Sequence, residues 1–181
     1  MRHVFLIGPG GVGKTSVGRI LAPLLNYAFV DLDEAFCQEE GAIRGFLGSH
    51  GYAEYLRRNS LLFSELLANS AESTVFSLSS GFLVTDVEAA TIARNNALVQ
   101  QAGTSILLMP SPSFEASSSV VIQRQLRRGL NLEHHQQLRT FAARFHAYMR
   151  KGDLQMFGCD PPAIIAQRVH EKLLLQISSK R

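Results

Sequence analysis

Eight successive residues, Gly8-Pro9-Gly10-Gly11-Val12-Gly13-Lys14-Thr15, carry the types and spacing that hold a phosphate. Gly8 and Gly13 stand five apart with Lys14-Thr15 behind them, matching the phosphate-loop spacing of glycine, four residues, glycine, lysine and a hydroxyl residue. Glycines let the chain wrap tightly. The backbone N–H groups of Gly10, Gly11, Val12, Gly13, Lys14, Thr15 and Ser16 are thereby expected to face phosphate oxygens at a helix N-terminus, where the dipole favours anions. Lys14 is the expected cation for the β- and γ-phosphates, and the Thr15 hydroxyl the expected ligand for Mg2+. The plain alternative is a glycine-rich turn that binds nothing. Spacing, lysine, threonine and flanking elements all argue against it, so the chain is read as binding a nucleoside triphosphate.

The flanks supply the elements such a loop needs. Residues 3–7 form an apolar run suited to a buried strand, and Val17, Ile20, Leu21, Leu24 and Leu25 follow at helical spacing. Further strands are predicted over 28–31, 74–78, 105–109 and 154–157. Helices are predicted over 32–40 and 42–47, with breaks at Gly41, Gly48 and Gly51, and over 52–71, where Tyr55, Leu62, Phe63 and Leu66 form a core face. Asp86 is the expected N-cap of a helix through Val99, with Glu88 in its first turn. Helices over 113–127 and 133–150 follow, and Asp160-Pro161-Pro162 opens a terminal one. Strands alternating with helices imply a single α/β domain over residues 1–181, its parallel sheet covered on both faces.

Composition narrows the function. A hydrophobic share of 46% and a net charge of +3 describe an ordinary globular chain, with several arginines gathered over residues 124–150. No basic block or basic-aromatic ribbon points to nucleic acid, and no apolar run reaches membrane-spanning length. Cys37 and Cys159 lack metal-like spacing and are read as reduced thiols, Cys37 as small apolar filling, in a cytoplasmic protein. His134-His135 does not converge on a metal, because neighbours on a helix point about 100° apart. A monomer acting on a small-molecule acid is expected.

Among phosphate-loop proteins, GTPases need an Asn-Lys-x-Asp, and no Asn-Lys dipeptide occurs here. Motor-type ATPases end a later strand on an acid, whereas residues 75–78 run into Ser79-Ser80-Gly81. Small-molecule kinases remain. The chain resembles the shikimate kinase family. Gly13-Lys14-Thr15-Ser16-Val17-Gly18-Arg19 with Leu21-Ala22 matches that family's loop and helix. Asp31-Leu32-Asp33-Glu34 matches its Asp-x-Asp-Glu; Gly41, Ile43 and Gly51-x-x-Glu54-Tyr55 resemble the next stretch. Arg128-Gly129-Leu130 resembles the start of its lid, and Arg144-x-x-x-Tyr148 the helix after it.

The resemblance implies a three-layer α/β/α fold with a five-stranded parallel sheet, of the nucleoside-monophosphate-kinase-like P-loop type. It implies a substrate-binding helical region over about 33–60 and a lid over about 124–134. ATP and Mg2+ are the implied cofactors, and phosphoryl transfer to shikimate, in aromatic amino acid biosynthesis, the implied activity. Asp31 is implied to help hold Mg2+, with Thr15. Asp33 is implied to accept from substrate hydroxyls and to serve as the base, and Arg144 to pair with the substrate carboxylate. Ser80 and Gly81 stand where the family lays substrate against backbone. Arg128 is implied to close with the lid onto the transferring phosphoryl group, and Arg124 to lie near adenine or the phosphates.

The chain also departs from the family. Anchored on Gly51 and Tyr55, the family's carboxylate-pairing Arg and its following Glu are replaced by Leu56 and Asn59. A one-residue slip brings Arg57 into the first place instead, and the sequence leaves both alignments open. The family's three glycines read Ser79-Ser80-Gly81, and Gly129 stands for proline. A gluconate-type or other kinase of the same fold, and a nucleotide-binding module that has lost catalysis, are the two rival readings.

Overall fold

Five strands and seven helices alternate along the described residues, 3–127 and 133–178, of a computed structural model. Strands β1 (His3–Ile7), β2 (Ala28–Asp31), β3 (Thr74–Ser77), β4 (Gly103–Met109) and β5 (Leu154–Phe157) form one parallel sheet in the order β2-β3-β1-β4-β5. Val4 of β1 stands opposite Val75 on one side and Thr104 on the other. Every residue of β1 and β3 is buried. A strand covered on both faces has no solvent side to make polar, which explains the near-continuous apolar runs.

Helix α1 (Lys14–Leu25) crosses from β1 to β2; α2 (Leu32–Glu40) and α3 (Ile43–Ala68) lie between β2 and β3. Helix α4 (Ala89–Ala102) leads to β4, α5 (Phe114–Leu126) and α6 (His134–Met149) to β5, and α7 (Pro162–Ser178) follows. Helix α1 packs on α7, β2 and β3, and α4 packs on β4 and α3, giving the three-layer α/β/α architecture. Phe5 stacks on Phe76 at 5.5 Å between ring centroids and meets Phe63 edge-on at 5.9 Å. Each such fully buried aromatic contributes about 1.5–3 kcal/mol. A smaller cluster of Phe36, Phe46, Tyr55, Leu56 and Ile92 ties α2, α3 and α4 together. Among the described residues no helix is long and apolar enough to cross a membrane.

Several local expectations change. Of the breaks predicted at Gly48 and Gly51, the second holds, since the backbone leaves helical geometry at Gly51 with φ 78°, whereas α3 runs through Gly48. Strand β4 begins at Gly103, two residues early. Asp86 does not cap α4. The helix starts at Ala89, and Glu88 holds the cap position at φ 58° with no capping bond. Its carboxylate is taken instead by Arg57 at 2.8 Å, an ion pair that local propensity cannot register. Cys37 is exposed rather than filling, because α2 turns Leu32 and Phe36 inward.

Candidate active site

In an open parallel sheet, ligands sit beyond the carboxyl ends of the strands, where adjacent connections part to opposite faces. Here the order β2-β3-β1 sets three such ends side by side: Asp31 ends β2, Ser79-Ser80-Gly81 follow β3, and Gly8 follows β1. Asp31 stands opposite Ser77 in the β2–β3 register. The two chains therefore carry Asp33 and Ser79 forward together, two residues beyond the paired positions.

The glycine loop ends at Gly13, in the left-handed region at φ 91°, and α1 starts at Lys14. Lys14 Nζ donates to the carbonyl oxygens of Gly8 and Pro9, both at 3.0 Å, and the side chain is buried. Val12 is buried, while Ser16, the third residue of α1, lies exposed in its first turn. Gln125 Nε2 donates to Gly10 O at 2.9 Å, so α5 lies over the loop. Arg124 reaches the same place: its Cβ would sit 3.3 Å from any Cβ added to Gly11. Its side chain lines a narrow crevice with Val12, Pro110, Phe157 and Arg168.

Thr15 Oγ1 donates to Asp31 Oδ2 at 2.6 Å. The other oxygen of Asp31 caps α2, accepting from the backbone N–H groups of Asp33 at 3.0 Å and Glu34 at 3.2 Å. Capping aims the carboxylate, and with Thr15 it presents two hard oxygen donors beside the loop. That donor set fits Mg2+, which takes one or two protein oxygens and completes its shell with phosphate oxygens and water. Among the described residues no three His, Cys, Asp or Glu side chains cluster as an all-protein metal cage would require.

Asp33 itself is exposed, in a cleft of about 240 Å³ that Gly10, Ser80, Gln125, Arg144 and Tyr148 also line. Its Oδ1 accepts from Ser79 Oγ at 2.5 Å and from Tyr55 OH at 3.4 Å. Burial, reinforced by the charge of Asp33, pushes the Tyr55 phenol far above its usual range, so it remains a proton donor. Arg144 Nη2 donates to Tyr52 OH at 2.9 Å, and the guanidinium lies 5.6 Å from the Tyr52 ring centroid. Tyr148 OH accepts from Gly81 N at 3.2 Å, and burial raises its pKa as well. Gly81 is in the left-handed region at φ 87°. A Cβ there would be strained by this φ and would stand 2.6 Å from Tyr52 Oη and 2.8 Å from Arg144 Nη1, so the turn lies directly against the guanidinium.

The structure thus brings Lys14, Thr15, Asp31, Asp33, Ser80, Gly81, Arg124 and Arg144 around the end of one sheet. It does not bring Arg57 there. Arg57 is half-exposed and paired with Glu54 at 2.5 Å and Glu88 at 2.8 Å. Leu56 is fully buried in the cluster with Phe36 and Tyr55, so neither alignment of this stretch puts a cation in the cleft. Arg128 and residues 128–132 of the expected lid lie outside the described residues. Gln125 and Tyr52 were invisible to sequence reading, since nothing local separates a loop-covering glutamine or an arginine-stacking tyrosine from surface residues. A larger groove of about 810 Å³ between α4 and α6 shares Arg144, but no loop residue and neither Asp31 nor Asp33 lines it. Chemistry, not size, marks the smaller cleft as the site.

Comparison with known proteins agrees with this geometry. The family model described as shikimate kinase matches residues 10–152. A shikimate kinase from Mannheimia succiniciproducens is 39% identical over 66 residues, which span 36% of this chain and 38% of that protein. The chain thus matches well under half the length of this curated relative. A solved structure of shikimate kinase from Acinetobacter baumannii in complex with shikimate superposes with a TM-score of 0.76 at 26% identity, covering 100% of this chain and 95% of that one. A gluconokinase from Sinorhizobium meliloti shares the fold, with a TM-score of 0.58 at 18% identity over 97% of both chains. Loop, paired aspartates and family model converge on one assignment: the chain belongs to the shikimate kinase family.

Proposed function

We propose that the chain transfers the terminal phosphoryl group of ATP to a hydroxyl of a small hydroxylated carboxylic acid, with shikimate the leading acceptor. The observation that carries this reading is the shared cleft: Asp33 and Arg144 line the same 240 Å³ space as Gly10 of the phosphate loop. A hydroxyl acceptor needs a carboxylate beside it and an anchor for its acid group, both within reach of the bound phosphates. The bound shikimate of the Acinetobacter relative supports the same choice.

Phosphoryl transfer asks a protein for alignment and charge stabilisation more than for covalent chemistry. Lys14 and the N–H groups of Gly10 to Ser16 hold the phosphates, Arg124 adds positive charge from α5, and Arg128 takes the phosphoryl-stabilising role that the family resemblance gives it. Thr15 and Asp31 would hold Mg2+, which would supply further positive charge to the phosphate chain. Asp33 accepts the proton of the attacking hydroxyl, and Arg144 fixes the acid group through a two-pronged guanidinium contact.

A second reading, a gluconate-type or other sugar-acid acceptor, follows from a departure from the family: Leu56 is buried in the α2–α3–α4 cluster, so Arg144 is the single cation among the described residues lining the cleft. Steady-state ADP production with shikimate against a panel of sugar acids separates the two. Arg144→Ala should raise the acceptor KM roughly ten- to a hundredfold, the worth of a charged hydrogen bond, with the KM for MgATP nearly unchanged. A collapse in ATP affinity instead would overturn the acid-anchor role.

A further inference from the structure

We infer that Ser79 is a specificity-determining residue: its hydroxyl occupies one oxygen of Asp33, so that the acceptor meets this carboxylate with a single hydroxyl rather than a vicinal pair. The inference rests on the reading of Asp33 as the acceptor-facing carboxylate. An ionised carboxylate grips two adjacent hydroxyls best side by side, with one oxygen facing each. Here one oxygen is already taken. Asp33 Oδ1 accepts a short hydrogen bond from Ser79 Oγ at 2.5 Å, with Tyr55 OH a longer 3.4 Å away, so Ser79 is the group that occupies this oxygen.

Both hydroxyls are backed by one buried amide. Asn59 Nδ2 donates to Ser79 Oγ at 2.9 Å and to Tyr55 OH at 3.3 Å. Each hydroxyl therefore receives an N–H from behind and sends its own proton forward to Asp33. Asn59 is fully buried, and among the described residues its Oδ1 has no hydrogen-bond partner. Ser79 and Tyr55 are buried as well, whereas Asp33 lines the cleft. The support is dry and the carboxylate faces the acceptor space. Asp33 Oδ2 has no hydrogen-bonded partner among the described residues and is the oxygen left for an incoming hydroxyl. The register sets this up: Asp31 opposite Ser77 carries Asp33 and Ser79 to each other.

The test is a matched pair of acids, 3-hydroxycyclohexanecarboxylate and cis-3,4-dihydroxycyclohexanecarboxylate, titrated into the full chain with MgADP present. Binding is followed by protein-detected NMR. In the native protein the second hydroxyl should change Kd by less than about threefold. Ser79→Ala frees Oδ1, and the diol should then bind about tenfold or more tighter than the mono-ol, the worth of one added hydrogen bond to a charged group. Ser79→Thr keeps the hydroxyl and should keep the native ratio, which a mere change of volume would not do. An unchanged ratio in Ser79→Ala, with both acids bound, overturns the inference alone. Binding of neither acid to any of the three proteins overturns the acceptor reading and the inference with it.

Discussion

Lys14 folds its ammonium onto two carbonyl oxygens of its own loop, Gly8 O and Pro9 O. Those contacts are replaceable by water, while the charge it brings to a phosphate chain is not. Lys14→Ala should therefore lower kcat/KM by about 10²–10³-fold or more, the scale set by removing one preorganised charge-stabilising group. Its far-UV circular dichroism should match that of the native protein. A lost fold would show the lysine to be structural. This part of the site was legible in the sequence because its parts are contiguous, with spacing, cation and hydroxyl all within eight residues. Leu56 and Arg57 were not separable in that way. One residue of slip on a helix turns a side chain by about 100°, and the choice is made by Phe36, Phe46 and Ile92, which the chain brings in from other helices. The Ser79 hydroxyl was visible as a residue in place of glycine. Its bond to Asp33 needs the β2–β3 register and had no local signal.

At the scale of elements, the segment after β3 is held by side chains of α4. Asn95 is fully buried, accepts from Ser60 Oγ and donates to Phe82 O at 3.2 Å. Asn96 donates to Leu83 O at 3.2 Å and accepts from Lys151 Nζ at 2.5 Å. These bonds tie α3, α4 and the residues just past Gly81, which is how a helix outside the cleft fixes the turn inside it. Asn95→Leu leaves the Phe82 carbonyl without its donor and the Ser60 hydroxyl, still held by Arg94 at 2.8 Å, without its acceptor. It should cost about 2–4 kcal/mol in urea unfolding, from one or two unsatisfied buried polar groups. A change under ~0.5 kcal/mol, the usual size for a surface site, would show the clamp to be idle. Helix onsets were the least legible elements. Asp86 has the residue type of a cap, but Glu88 is drawn into an ion pair with Arg57 across from α3, and that partner lies 31 residues away.

For the molecule as a whole, strand order does the assembling. Placing β3 between β2 and β1 sets the acid-bearing end of β2, the Ser-Ser-Gly turn and the phosphate loop around one cleft, with an aromatic core beneath. The alternation of strands and helices made this class of fold readable from periodicity alone; the neighbour relations that build the cleft came only from the sheet. The central claim is that this cleft passes a phosphoryl group to an acceptor hydroxyl. Phosphorus NMR of the chain incubated with MgATP and shikimate, and in parallel with gluconate, tests it most directly. A new phosphomonoester resonance growing in step with ADP in one of the two mixtures is the predicted result. Unchanged ATP in both, or inorganic phosphate as the sole product beside ADP, would contradict it.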